Sequence, residues 1–210
     1  LNVTAVFTPR SMPPRARRSI VVSAVLACTL FAGACATLRQ LAALEQVAFS
    51  LDGVSRVSLA DVELTAIRRF EDLTITDGLK LAEAVGAGTL DLSLGLRVRA
   101  HNPESNVDAR MVRMDWTLIL DGRETVSGRV TDEVVLPRGQ DTPVPVSAEL
   151  DLMSFFEGGA REMFDLALGL TGFGEEPTEL TLRIRPVVET VLGPIAYEAP
   201  IQISLPTSSR

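Results

Sequence analysis

The stretch that most limits what this chain can become runs from Thr89 to Pro103. Leu90, Leu92, Leu94, Leu96, Val98 and Ala100 fall on one side of an extended chain, and Asp91, Ser93, Gly95, Arg97 and Arg99 on the other. Apolar residues at a strict spacing of two define a half-buried strand, since a helix would need them three and four apart. Asn102-Pro103 predicts the end of that strand, because proline has no N–H for a ladder and turns the preceding residue away from helix. One apolar strand face must be buried against other elements, so the remaining chain has to supply partners.

It supplies several of the same kind. Val112, Met114, Trp116, Leu118 and Leu120 alternate up to Asp121-Gly122, the dipeptide of a tight hairpin, and Val126, Gly128 and Val130 return from it. After a second turn at Pro137-Arg138-Gly139, Val144, Val146, Ala148 and Leu150 alternate with Pro143, Pro145, Ser147 and Glu149. Prolines at two outward positions predict an edge strand. Leu180, Leu182 and Ile184, then Ile201, Ile203 and Leu205, predict two final strands around Gly193-Pro194. Upstream, Val47, Phe49 and Leu51 precede Asp52-Gly53, read as a turn, with a second extended piece from Val57 to Ala66.

Two segments break the period. Thr76 is the expected cap of a short helix over 77–85, ended by Gly86 or Gly88. Phe156, Ala160, Met163, Phe164 and Ala167 predict one amphipathic helix over 152–170, weakened by Gly158-Gly159. The expected fold is therefore mainly β. It is an antiparallel fibronectin- or immunoglobulin-like β-sandwich with one amphipathic helix and a short helical insertion.

The N-terminus follows a different logic. Residues 1–18 carry Arg10, Arg15, Arg17 and Arg18 and no acid, and Ser19–Ala34 carries no charge. This is the layout of a secretory signal peptide, with Met12 the expected start, and the uncharged run is shorter than the roughly 20 residues of a spanning helix. Ala32-Gly33-Ala34-Cys35 resembles a bacterial lipobox, which implies cleavage between Ala34 and Cys35 and acylation of Cys35. Ordinary cleavage after Ala34 and a competing site at Cys28 are the rival readings. Both cysteines of the chain lie in this segment, so nothing beyond Cys35 can form a disulfide. The expected domains are 1–34 signal peptide, 35–45 lipidated N-terminus and linker, 46–205 sandwich and 206–210 tail. Two or more acyl chains anchor stably. The expected location is thus a membrane on the periplasmic side, and Ala36, by resemblance to bacterial sorting signals, permits the outer membrane.

Charge narrows the partners. The 27 acidic residues outnumber the 20 basic ones, and the excess grows once residues 1–34 are removed. That opposes nucleic acid, which attracts a basic face. The apolar content of 46% excludes a disordered chain.

The order of motifs now points to a family. Leu96-Arg97-Val98-Arg99-Ala100-His101-Asn102-Pro103, the strand to Leu118-Ile119-Leu120-Asp121-Gly122 and Val126-Ser127-Gly128 together resemble the group 2 late embryogenesis abundant domain, or water stress and hypersensitive response domain. Ser50-Leu51-Asp52-Gly53-Val54 resembles its opening segment, while Glu104 departs from the Asn-Pro-Asn of the family turn. The resemblance implies a folded sandwich without established catalysis, associated with desiccation or other stress, in which Asn102 and Pro103 form a structural turn. Some relatives have been proposed to bind lipid between sheet and helix.

Sites of chemistry are sparse. His101 is the single histidine and has no cysteine partner for a metal. Asp132-Glu133 and Glu175-Glu176 read as loop charge, and no nucleophile elbow or phosphate loop occurs. Arg97, Arg99, Arg183 and Arg185 read as a solvated sheet face salted by neighbouring acids, and would form a basic stripe only if their strands paired. The expectation is a non-catalytic envelope module, without metal or cofactor, that protects or binds membrane or protein surfaces. The alternative is an apolar-ligand carrier using Phe155, Phe156, Met163, Phe164 and Trp116 beneath helix 152–170. Neither reading names a protein or lipid partner. Mass spectrometry of the mature N-terminus is expected to show a diacylated Cys35; an unmodified amine there would remove the anchor.

Overall fold

The computed structural model describes residues 43, 45–174, 177–190 and 193–205. Ala34, Cys35 and Glu175-Glu176 lie outside these residues. Among the described residues, eleven strands and three α-helices are laid out in chain order. The first sheet holds β1 (Ala48–Leu59), β2 (Val62–Glu63), β3 (Asp91–Asn102) and β8 (Gln140–Asp151) in the order β2-β1-β3-β8. The second holds β5 (Arg113–Leu120), β6 (Arg123–Val130), β9 (Leu180–Thr190), β10 (Gly193–Ala196) and β11 (Ile201–Ser204) in the order β10-β9-β5-β6, with β11 also on β9. A small third sheet pairs β4 (Ala109–Met111) with β7 (Val134–Leu136). Every pairing is antiparallel, and the result is a β-sandwich.

β3 is the central plank of the first sheet. Its inward row Leu92, Leu94, Leu96, Val98 and Ala100 is buried throughout, each leucine adding roughly 1.5–3 kcal/mol. The same row continues into Asn102, which is also fully buried. The strand therefore runs through Asn102, and the turn starts only at Pro103. Asn102 Nδ2 donates to Leu136 O at 2.7 Å and Val107 O at 2.9 Å, while its Oδ1 accepts from Asn106 Nδ2 at 2.7 Å. Asn106 Nδ2 also donates to Ala43 O at 2.7 Å, and Asn106 Oδ1 accepts from the Val107 amide at 2.8 Å. A buried amide is costly unless all its groups are paired, and here they are.

Three other expectations are corrected. Asp52-Gly53 is no turn: β1 runs unbroken from Ala48 to Leu59, and its register against β3 shifts at Leu51/Gly53 and Val54/Arg56. Gly53, at φ 151°, sits in a β-bulge, where an extra residue bends the strand without ending it. Asp52 Oδ2 accepts from Arg99 Nε at 2.6 Å, which holds the bulge on the sheet. The real turn is Ala60-Asp61, both at positive φ.

Second, the single helix over 152–170 is two. α2 (Leu152–Phe155) is capped by Asp151, and α3 (Ala160–Gly169) begins after an extended break. Gly158 has φ 150°, a backbone state that residues with a Cβ avoid, so the glycine pair separates the helices instead of only weakening one. Third, the insertion helix α1 (Ile75–Ala87) is longer than expected and is capped by Thr74, whose Oγ1 accepts from the Asp77 amide at 3.2 Å; Thr76 lies inside it. Asp77 Oδ2 accepts from the Thr74 amide in return, a reciprocal cap worth about 1 kcal/mol. Gly88, at φ 81°, ends the helix.

The hairpin behaves as read. Asp121 and Gly122 have φ 47° and 73°, the two positive values a type I′ turn requires. Pro143 and Pro145 lie on β8, an outer strand of its sheet, opposite Arg99 and Arg97. Missing N–H groups there blunt a free edge against further pairing.

Asn102→Ala is expected to lower unfolding stability by about 3 kcal/mol, because it strands Leu136 O, Val107 O and one Asn106 donor in the interior. Chemical denaturation checks this; a change within a few tenths would mean the amide pair is dispensable.

Candidate functional site

The five apolar candidates do not gather around a common space. Trp116 points inward from β5 and is 7% exposed. Its ring lies over Gly128 of β6, the residue directly opposite, where any Cβ would collide with the indole. Met163 and Phe164, on α3, are 4% and 1% exposed and belong to the same core as both sheets, with Leu152, Ala167 and Leu168 around them. Phe164 meets Phe70 edge to face, ring centres 5.2 Å apart, a favoured aromatic geometry. The volume beneath 152–170 is thus occupied by the protein's own side chains. Phe155 and Phe156 are half-buried at the break between α2 and α3. Arg123 of β6 donates to Phe155 O, and its guanidinium stands 5.4 Å from the Phe156 ring centre.

His101 ends up in a charged row across the outer face of the first sheet. Its Nδ1 is 2.6 Å from Asp141 Oδ1 on β8, Asp141 also pairs with Arg99 at 3.4 Å, and Arg99 pairs with Asp52 on β1. The Arg99 guanidinium is held still more firmly protonated by the hydrogen bond and charge of Asp52. Exposed pairs of this type are screened by solvent and stabilise only weakly. No local pattern in the sequence reveals this row, because it depends on cross-strand register. Asp132-Glu133 is similarly occupied in part: Glu133 pairs with Arg110 at 3.1 Å.

The condition for a stripe of Arg97, Arg99, Arg183 and Arg185 is not met. Arg97 and Arg99 are on β3 and Arg183 and Arg185 on β9, in separate sheets, so the four cannot line up. Arg183 and Arg185 instead share the outer face of the second sheet with Arg129 and Arg113. Register places Arg129 and Arg185 on either side of Asp115, and Ser127 and Arg183 on either side of Thr117. An open groove of about 560 Å³ lies here, bounded on one side by Pro200. Among the described residues no group of three or more His, Cys, Asp or Glu could hold a metal ion, and no helix is long and apolar enough to cross a membrane.

Two titrations report on the scaffold beside these surfaces. The Asp151 carboxyl is held below its ordinary 3.8 mainly by the Leu90 amide, with Ser154 and Met153 adding to it against a cost of burial. Burial, and then Glu45, push the Tyr197 phenol up to about 12.

No family model and no curated protein matches the chain. Several solved structures overlap it loosely, among them the following. A protein from Archaeoglobus fulgidus does so at 14% identity over 77% of this chain and 100% of its own, with a TM-score of 0.34. A Northeast Structural Genomics Consortium target gives 7% identity over 79% and 90%, with a TM-score of 0.40. The solution structure of a protein provisionally described as late embryogenesis abundant (LEA) gives 14% identity over 89% and 86%, with a TM-score of 0.32.

Asp151, with a lowered folded-state pKa, contributes stability that is present above about pH 4 and is lost as pH falls through the folded value. Asp151→Asn is expected to flatten that acid limb in pH-dependent denaturation; an unchanged limb would free Asp151 of the role. Tyr197 is the single tyrosine, so ultraviolet titration of the native protein is expected to show no phenolate at pH near 10. A midpoint at the ordinary 10.0 would contradict its burial.

Proposed function

We propose that this protein is a non-catalytic module tethered to the periplasmic side of a membrane through acyl chains on Cys35, and that its sandwich protects or binds membrane or protein surfaces under water stress. The observation that carries the protective reading over the carrier reading is the filled interior beneath 152–170. Phe164, Met163, Ala167 and Leu168 are core residues, and a carrier needs apolar volume that water or ligand can occupy. Deleting one of these side chains to make room would itself cost about 2–5 kcal/mol.

The stress role rests on the resemblance of the strand into Asn102-Pro103, the Asp121-Gly122 hairpin and Val126-Ser127-Gly128 to the water stress domain. The outer faces suit contact with hydrated surfaces: they are rows of charge and hydroxyl, with cross-strand pairs such as Arg99–Asp52 and Arg183–Glu124. Such faces offer replacement hydrogen bonds when water is withdrawn. The anchor would hold them close to one membrane.

Native mass spectrometry of the full chain purified from lipid-rich cells is expected to give the mass of the processed, acylated polypeptide alone. A second, non-covalent lipid at fixed stoichiometry would favour the carrier. A strain lacking the gene is expected to survive drying less well than its parent; equal survival would remove the stress role.

A further inference from the structure

The groove on the outer face of the second sheet has a composition at odds with the rest of the molecule. The chain carries a net charge of −7, yet this face presents Arg113, Arg129, Arg183 and Arg185 around Asp115 and Glu124. Asp115 is shared: Arg129 Nε approaches it at 2.6 Å and Arg113 Nη2 at 3.4 Å. Glu124 receives one nitrogen of Arg183, Nη1, at 2.7 Å. Arg185 is held by backbone carbonyls, donating from Nε to Tyr197 O at 2.7 Å and from Nη2 to Glu198 O at 3.4 Å. Carbonyls orient a guanidinium without cancelling its charge, so the patch keeps an excess of positive charge.

The floor adds a second kind of recognition. Thr117 Oγ1 and Ser127 Oγ lie 2.8 Å apart between the arginines. Only one of the two hydroxyls can donate to the other, which leaves one O–H free to donate outward and lone pairs free to accept. Arg129 and Arg185 flank Asp115 in one cross-strand row, and Ser127, Thr117 and Arg183 form the next. The segment between β10 and β11, fixed by Arg185, raises Pro200 as a wall. At about 560 Å³ the groove has the size of small-molecule sites.

We propose that this groove binds a phosphorylated polyol, with Arg129, Arg183 and Arg185 on the phosphate and the Thr117–Ser127 hydroxyl pair on the polyol. Guanidinium is the side chain of choice for phosphate because its planar fork presents parallel donors to two oxygens. A concave polar face with a surplus of arginine concentrates an anion that the remaining surface repels. The same chemistry occurs free, as a sugar or glycerol phosphate, and on membranes, as a phospholipid headgroup. A chain tethered through Cys35 would meet both, but the site rests on the described residues alone and does not need the tether.

Calorimetric titration of the full chain with glycerol 3-phosphate and with inorganic phosphate at low ionic strength tests the site, with fluorescence of Trp116, the single tryptophan, as a second readout. Saturable binding is expected, weakening as salt screens the charges. Arg129→Gln leaves the Arg185 contacts to the wall in place, and it is expected to weaken both ligands about tenfold. Thr117→Val is expected to weaken glycerol 3-phosphate more than inorganic phosphate. Arg97→Ala, on the other sheet, is expected to change neither. No saturable binding by either method, or an equal loss in Arg97→Ala, would overturn the proposal. Sedimentation with phosphatidylcholine vesicles, with and without phosphatidic acid, then assigns the source. Retention on the acidic vesicles that Arg129→Gln abolishes marks a headgroup site, and binding of the soluble phosphate alone marks a free ligand. These outcomes are independent of drying survival, so failure here leaves the protective reading standing and the reverse also holds.

Discussion

The paired amides of Asn102 and Asn106 are where separate parts of this sandwich are joined. β3 drives a row of leucine, valine and alanine into the core, and its last inward position is an amide. That amide bonds the end of β7 at Leu136 and the following loop at Val107, and through Asn106 it reaches Ala43 ahead of β1. Hydrogen bonds in a water-free interior are strong and directional, and an unpaired group there costs more than a paired one contributes. One strand end, one loop and the N-terminal approach therefore have a single arrangement in which every donor is used. The Asn102 carbonyl adds to this by accepting from the Gly139 amide at 2.7 Å, which positions the turn into β8.

From that fixed end, the first sheet is closed by charge and by proline. Asp52, Arg99, Asp141 and His101 cross its outer face, tying β1 to β3 and β3 to β8. Each exposed contact is weak, yet together they favour one register, and the bulge at Gly53 sits within the same row. Pro143 and Pro145 then deny the outer edge of β8 two of its donors. The sheet can remain polar outside without recruiting a neighbour.

The second sheet solves a different problem. Its inner face is made by Trp116 over Gly128 with Leu118, Leu120, Leu182 and Ile184, and its outer face carries the arginines. The two faces are coupled by register. The pairing that seats the indole on a glycine also sets Arg129 opposite Asp115 and Ser127 opposite Thr117. A packing requirement in the core thereby decides which polar groups meet outside, and the groove owes its composition to that pairing.

Much of the scaffold was legible from residues alone. The two-residue period of Leu90–Ala100, the Asp121-Gly122 hairpin and the edge prolines all read correctly, because side-chain alternation and turn backbone states are local properties. The separation of α2 from α3 was half-visible in Gly158-Gly159. Asp52-Gly53 misled, since the same dipeptide serves a turn or a bulge, and Arg99 across the sheet selects between them. Two asparagines flanking Pro103 at a spacing of four were a signal of the amide pair, but an exposed turn would read identically. The groove was not legible, although Arg183 and Arg185 stood out: their partners Arg129, Asp115 and Thr117 lie more than 50 residues away in sequence. The sequence by itself determined where strands form and which side of each is apolar. Only the tertiary structure decided which strands share a sheet and in what register, because those choices rest on contacts between distant segments that no local pattern encodes.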